Sequence, residues 1–198
     1  MRTIFSLIVF SILSCSQPKF TSLSKDKVIL DAFTSEQISD LEYFIEKVDS
    51  IVIARSSTSD LEDSYRQYCK YLINSESIEG LEMLLERDRE LYNSLIDEFK
   101  RFKVFSDIWI VYNVLYPKQN LTLEYLGVNT NGNYIVFLEA FTKFNSYSSG
   151  YFDAIISSGD IRASIALGLL VHNEFYDFSN PATRLLFAIH FATIHYKK

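Results

Sequence analysis

Apolar residues follow two kinds of pattern along this chain. Ile4 to Leu13 is an apolar run interrupted only by Ser6 and Ser11, whereas beyond residue 34 apolar residues recur three and four apart. That second spacing is the period of one face of a helix. Thr34 followed by Gln37 forms a capping box, and Phe33 ahead of it can staple onto Ile38. Ile38, Leu41, Ile45, Val48 and Val52 then share a stripe. A second helix is expected from Ser59, with Glu62 as its box partner and Leu61, Tyr65, Tyr68 and Leu72 inward. A third turns Ile78, Leu81, Leu85, Leu91, Leu95 and Phe99 inward and keeps a charged face from Glu79 to Arg101. Oppositely charged residues four apart, Glu62 with Arg66 and Asp97 with Arg101, mark solvated faces.

The centre carries two competing patterns. Asp107 to Tyr116 is rich in β-branched and aromatic residues, which favours a strand by propensity. Leu121–Val128 and Tyr134–Leu138 flank Asn129-Thr130-Asn131-Gly132-Asn133, a turn that could close a hairpin over 121–138. The helical reading, preferred because its flanks are helical, caps a short helix at Asn120 and ends it at Gly127. It restarts with Tyr134, Phe137, Leu138, Phe141 and Phe144 on one face. Further on, Gly159 suits a helix C-terminus, and Asp160 can cap a helix bearing Ile161, Ile165, Leu169 and His172. Ala163, Ala166 and Gly168 are small enough to admit a neighbouring helix. Asn180 followed by Pro181 starts a last helix whose residues are apolar almost all round, as in a helix buried among others. The fold class expected is mainly α: a single helical domain of bundle or hairpin type, with a possible small β-hairpin.

The first fifteen residues have a different meaning. One charge, Arg2, precedes the apolar run, which closes on Ser14-Cys15 before the chain turns polar at Gln17. A positive start, a short apolar stretch and a small residue at the end make the layout of a secretory signal. The run is too short to span a bilayer, which takes roughly 20 apolar residues. Ile12-Leu13-Ser14-Cys15 resembles the lipobox of bacterial lipoproteins, although Leu13 stands where that family more often has Ala, Ser or Thr. The resemblance covers these fifteen residues alone. It implies cleavage between Ser14 and Cys15, diacylglycerol on the Cys15 thiol and usually a further acyl chain such as palmitate on the new amino terminus. Two or more chains make attachment stable where one does not. Ser16, standing where Asp would signal inner-membrane retention, implies the outer membrane. The expected organisation is a signal over 1–14, a lipidated cysteine and tether over 15–33, and a helical domain over 34–198. A twelve-residue tether over 16–27 would reach roughly 20 Å.

Composition narrows the partners. The net charge is −6, which gives a phosphate backbone no basic face to bind, so nucleic acid is excluded as a partner. An acidic body also gains nothing from anionic lipid, leaving acylated Cys15 as the contact with the bilayer. The hydrophobic share of 48% suits a core that needs neither disulfide nor metal. With Cys15 acylated, Cys69 stands alone; with Cys15 free, a Cys15–Cys69 bridge becomes possible.

Candidate chemistry is sparse. His190 and His195 lie five apart, unlike the i,i+4 pair of a helical zinc site, and His172 is remote from both. No metal ligand set, cofactor motif or catalytic signature is read from the sequence. Asp153, Asp160 and Glu139 could pair as glycosidase carboxylates only by coincidence. The better candidate is the aromatic and acidic group Tyr147, Tyr151, Phe152, Asp153, Tyr176, Asp177 and Phe178, which as exposed rings beside carboxylates would suit a contact surface. The function expected is therefore an anchored interaction module with an envelope protein partner, of the assembly-factor or immunity type. An envelope hydrolase and a structural spacer are the alternatives.

Overall fold

The computed structural model describes residues 22–74, 78–161 and 163–198. The lipobox segment and residues 16–21 of the tether lie outside the described residues. In chain order the helices are α1 (Lys27–Ala32), α2 (Ser35–Arg55), α3 (Leu61–Ile73), α4 (Ile78–Phe99) and the single turn α5 (Phe105–Ile108). The strands β1 (Trp109–Tyr116) and β2 (Leu121–Val128) follow, then α6 (Asn133–Phe144), α7 (Ser149–Ser158), α8 (Ala163–Val171) and α9 (Pro181–His195). The fold is thus mainly helical with one small antiparallel hairpin. Among the described residues no helix is long and apolar enough to cross a membrane.

The expected starts of two helices hold at atomic detail. Thr34 Oγ1 accepts from the Gln37 amide while Gln37 Oε1 accepts from the Thr34 amide, which satisfies donors a helix otherwise leaves open. Asn180 Oδ1 accepts from Ala182 and Thr183 at the start of α9. From Pro181 to Thr193 every residue of α9 is buried, and the helix packs against α2, α4, α8 and β2. It is the axis around which the other elements assemble.

Several boundaries differ from the sequence reading. The start of α3 is capped by Asp60, whose carboxylate accepts from Asp63 at 2.9 Å, and not by Ser59; a carboxylate there also meets the positive end of the helix dipole. On α4 the inward stripe runs Leu81, Leu85, Asp88, Tyr92, Leu95 and Phe99. Tyr92 takes the place expected for Leu91, which is 48% exposed, because a 3.6-residue period needs the 4-3-4-3 step. The folded body takes in residues expected in the tether. Asp26 caps α1 by accepting from Val28 at 2.8 Å, and Leu23, Ile29 and Phe33 are buried, so residues 22–33 belong to the folded body.

The centre forms a hairpin, but not the one the Asn-rich turn suggested. Trp109–Tyr116 pairs with Leu121–Val128, Trp109 opposite Val128 and Tyr116 opposite Leu121. The helix expected from Asn120 to Gly127 does not form. Asn120 instead sits at φ 49°, the left-handed geometry Asn tolerates, and closes a 3-10 turn begun by Pro117. The Asn129–Gly132 segment makes a separate turn that opens α6, the Gly132 amide donating to Asn129 O at 3.0 Å.

Candidate functional site

Asn145 ends α6 and holds two distant backbones at once. Its Oδ1 accepts from the Tyr147 amide at 3.0 Å, and its Nδ2 donates to Phe175 O at 3.1 Å. The 3-10 turn Ser146–Ser148 and a second one at Asn173–Phe175 therefore lie side by side. Their rings stack: the centroids of Tyr147 and Phe175 are 4.1 Å apart with 8° between planes. Tyr147 is 58% and Phe175 43% exposed. Exposed large apolar rings gathered in one place are what monomeric surfaces rarely carry without use.

The stacked pair forms a ridge between two depressions. One, of about 470 Å³, lies between α7 and α8, with Tyr151 and Tyr176 in its floor and Ile165, Leu169 and His172 along its side. Gly150 and Gly168 also line it, and a Cβ added at either would meet nothing within 4 Å. Gly168 was expected to let a helix approach closely; instead it leaves that space open. The other depression, of about 300 Å³, is shallower and bounded by Phe144, Ser146 and Asp177.

The aromatic and acidic group read from the sequence is only partly at the surface. Tyr147 and Asp177 are exposed, and Asp177 Oδ1 accepts from the Ser179 amide and hydroxyl at 2.9 and 2.6 Å. Asp153 is exposed on α7, and Phe152 is half-buried against the core. Tyr151 is buried with its hydroxyl 3.1 Å from His190 Nδ1, and Tyr176 is buried edge-on to Phe187 at 5.1 Å. Phe178 is core, stacked on Tyr65 at 5.1 Å with the Arg66 guanidinium 5.4 Å from its ring. Phe175, which the sequence reading passed over, supplies the second exposed ring. Its segment has no period, so no pattern distinguished it from Phe178.

The remaining chemistry is buried or scattered. Asp49 is fully buried beneath Leu23, accepts from Tyr65 Oη at 2.7 Å and faces Arg184 Nη1 at 3.8 Å. Burial, only partly offset by Arg184 and Tyr65, pushes its carboxyl up to about 6. Toward the other end of α9, Arg55 pairs with Asp88 at 2.5 Å, and Asp88 Oδ2 accepts from Tyr68 Oη at 2.9 Å. The Tyr68 oxygen stands 3.1 Å from His195 Nε2, and His195 Nδ1–H donates to Phe191 O at 2.8 Å. Tyr68 thus has one proton between two acceptors, and protonating His195 would complete the chain. Burial holds that proton off until about pH 4. Asp49, Asp88 and His195 are each fully buried, and both clusters tie α9 to the helices packed on it.

Asp160 lines a cleft of about 190 Å³ beneath the hairpin, with Arg89, Lys197, Tyr112 and Tyr125. Glu139 pairs with Lys143 at 3.2 Å on the exposed face of α6, and Asp153 is exposed on α7. These carboxylates share no cavity among the described residues. Cys69 is a free buried thiol whose ionisation burial pushes up, as befits a small core residue. Among the described residues no three His, Cys, Asp or Glu side chains converge as a metal site. No protein-family model matches the chain, and no match emerges among curated proteins or solved structures.

Proposed function

We propose that this chain is a lipid-anchored interaction module of a bacterial envelope, meeting a protein partner through the ridge formed by Tyr147 and Phe175. The observation that carries the reading is the stacked, exposed pair between two depressions, held in place by the Asn145 clamp. Paired aromatics with little conformational freedom are the kind of anchor on which protein contacts concentrate their energy. The anchor half of the proposal rests on Ser14-Cys15 at the end of an apolar leader. Acylated Cys15 would hold the body at the outer membrane, where the partner is to be sought.

Crosslinking and pull-down from intact cells tests the contact. Tyr147→Ala and Phe175→Ala should each lose the captured protein while keeping the native melting temperature; capture that survives both substitutions refutes the ridge. Cys15→Ala should move the protein from the membrane to the soluble fraction, and continued membrane association refutes the lipid anchor.

A further inference from the structure

In an antiparallel pair, backbone groups point alternately toward the neighbouring strand and away from it. Glu124 exchanges backbone hydrogen bonds with Lys198 at 2.6 and 3.0 Å, so its groups face away from β1. Glu124 stands opposite Asn113. The N–H and C=O of Asn113, and with them those of Val111 and Leu115, therefore point out of the far side of β1. The outer edge of β2 is covered, since Lys198 takes Glu124 and the Val128 amide donates to Gly159 O at 3.1 Å. The corresponding groups of β1 have no hydrogen-bond partner among the described residues. Val111 is 40% and Leu115 62% exposed. The strand reads Trp-Ile-Val-Tyr-Asn-Val-Leu-Tyr, with neither charge nor proline, the devices by which edge strands usually repel a neighbour.

We propose that β1 of a second copy of this chain completes this edge, antiparallel about Asn113, to give a four-stranded sheet. A twofold contact requires a surface that matches itself when rotated, and this strand does so about Asn113, its central outward-facing residue. With Asn113 opposite Asn113 of the second copy, Val111 faces Leu115, Tyr112 faces Val114 and Ile110 faces Tyr116. The outward backbone groups of Val111, Asn113 and Leu115 then all find partners, and the exposed apolar side chains cover one another. The net charge of −6 opposes self-association in general, but none of it lies on the contact strand. This contact shares no residue with the aromatic ridge, so the ridge can fail its test while the dimer stands, and the reverse.

Sedimentation equilibrium of the full chain in mild detergent reads the outcome. The native chain should associate to a dimer at micromolar concentration. Asn113→Pro removes an N–H that β2 does not use, leaving the intramolecular ladder whole, and should weaken dimerisation by about tenfold or more. Leu115→Lys, at an exposed position, should do the same with an unchanged circular dichroism spectrum, and it decides the matter if the proline variant unfolds. In a Cys15→Ala background, Asn113→Cys should oxidise to a disulfide dimer, the facing Cα atoms being about 5.5 Å apart. Thr122→Cys, on the other strand, should not. A native chain that stays monomeric at every concentration overturns the proposal. So does a dimer that persists in Leu115→Lys, or crosslinking at position 122 as fast as at 113.

Discussion

Asp49 and His195 are both fully buried, near opposite ends of the central helix, and burial shifts them in opposite senses. The Asp49 carboxyl rises from 3.8 to about 6. Its contribution to stability is therefore present below pH 3.8 and lost as pH rises through 6. The His195 imidazole falls from 6.5 to about 4, so its contribution is present above pH 6.5 and lost as pH falls through 4. Each amounts to about 3 kcal/mol, and over the same window they nearly cancel. Urea denaturation across pH 4 to 6.5 should show little net slope from this pair in the native protein. Asp49→Asn should leave stability rising with pH, and His195→Gln should leave it falling; the sign of the slope is the readout, because either change also disturbs Arg184 or Tyr68. The sequence singled out His195 but did not reveal the buried charges. Asp49, Asp88 and Arg184 read as surface charges by type, and only the three-dimensional stripe of α2, α4 and α9 turns them inward. The same limit divides the aromatic group: Tyr147 is exposed and Phe178 buried, although both sit in irregular turns where no period assigns a face.

Element by element, the legible parts were those with capping chemistry. Thr34 with Gln37, Gly159 and Asn180-Pro181 each mark a helix boundary through hydrogen bonds or backbone angles that few other residues supply. The hairpin was less legible because two turns competed for it. Asn-Thr-Asn-Gly-Asn carries the stronger turn composition, but the β-branched run Trp109–Tyr116 needs a neighbouring strand, and Leu121–Val128 is the nearer one. Two substitutions test this packing. A Cβ at Gly132 would stand 2.1 Å from Asp107 O, where α6 starts against the root of β1, so Gly132→Ala should cost several kcal/mol in chemical denaturation. Gly168→Leu points into open space on a helix and should raise stability by about 0.5–1 kcal/mol. Because that side chain fills the depression beside the ridge, the same variant should lose its partner while melting higher.

The molecule as a whole combines a helical body, an aromatic ridge at one place on it and an amino-terminal segment that resembles a lipoprotein signal. The body is stabilised around α9, so the ridge can be altered without unfolding it: Tyr147 and Phe175 touch each other and the rims of shallow depressions, not the core. The most direct measurement installs a photoreactive amino acid at Tyr147, and for comparison at Met83, which is 73% exposed on α4, in the native host. Irradiated cells should yield one discrete protein adduct from position 147, absent at position 83 and abolished by Phe175→Asp. No adduct at 147, or the same adducts from both positions, would contradict the assignment of this surface.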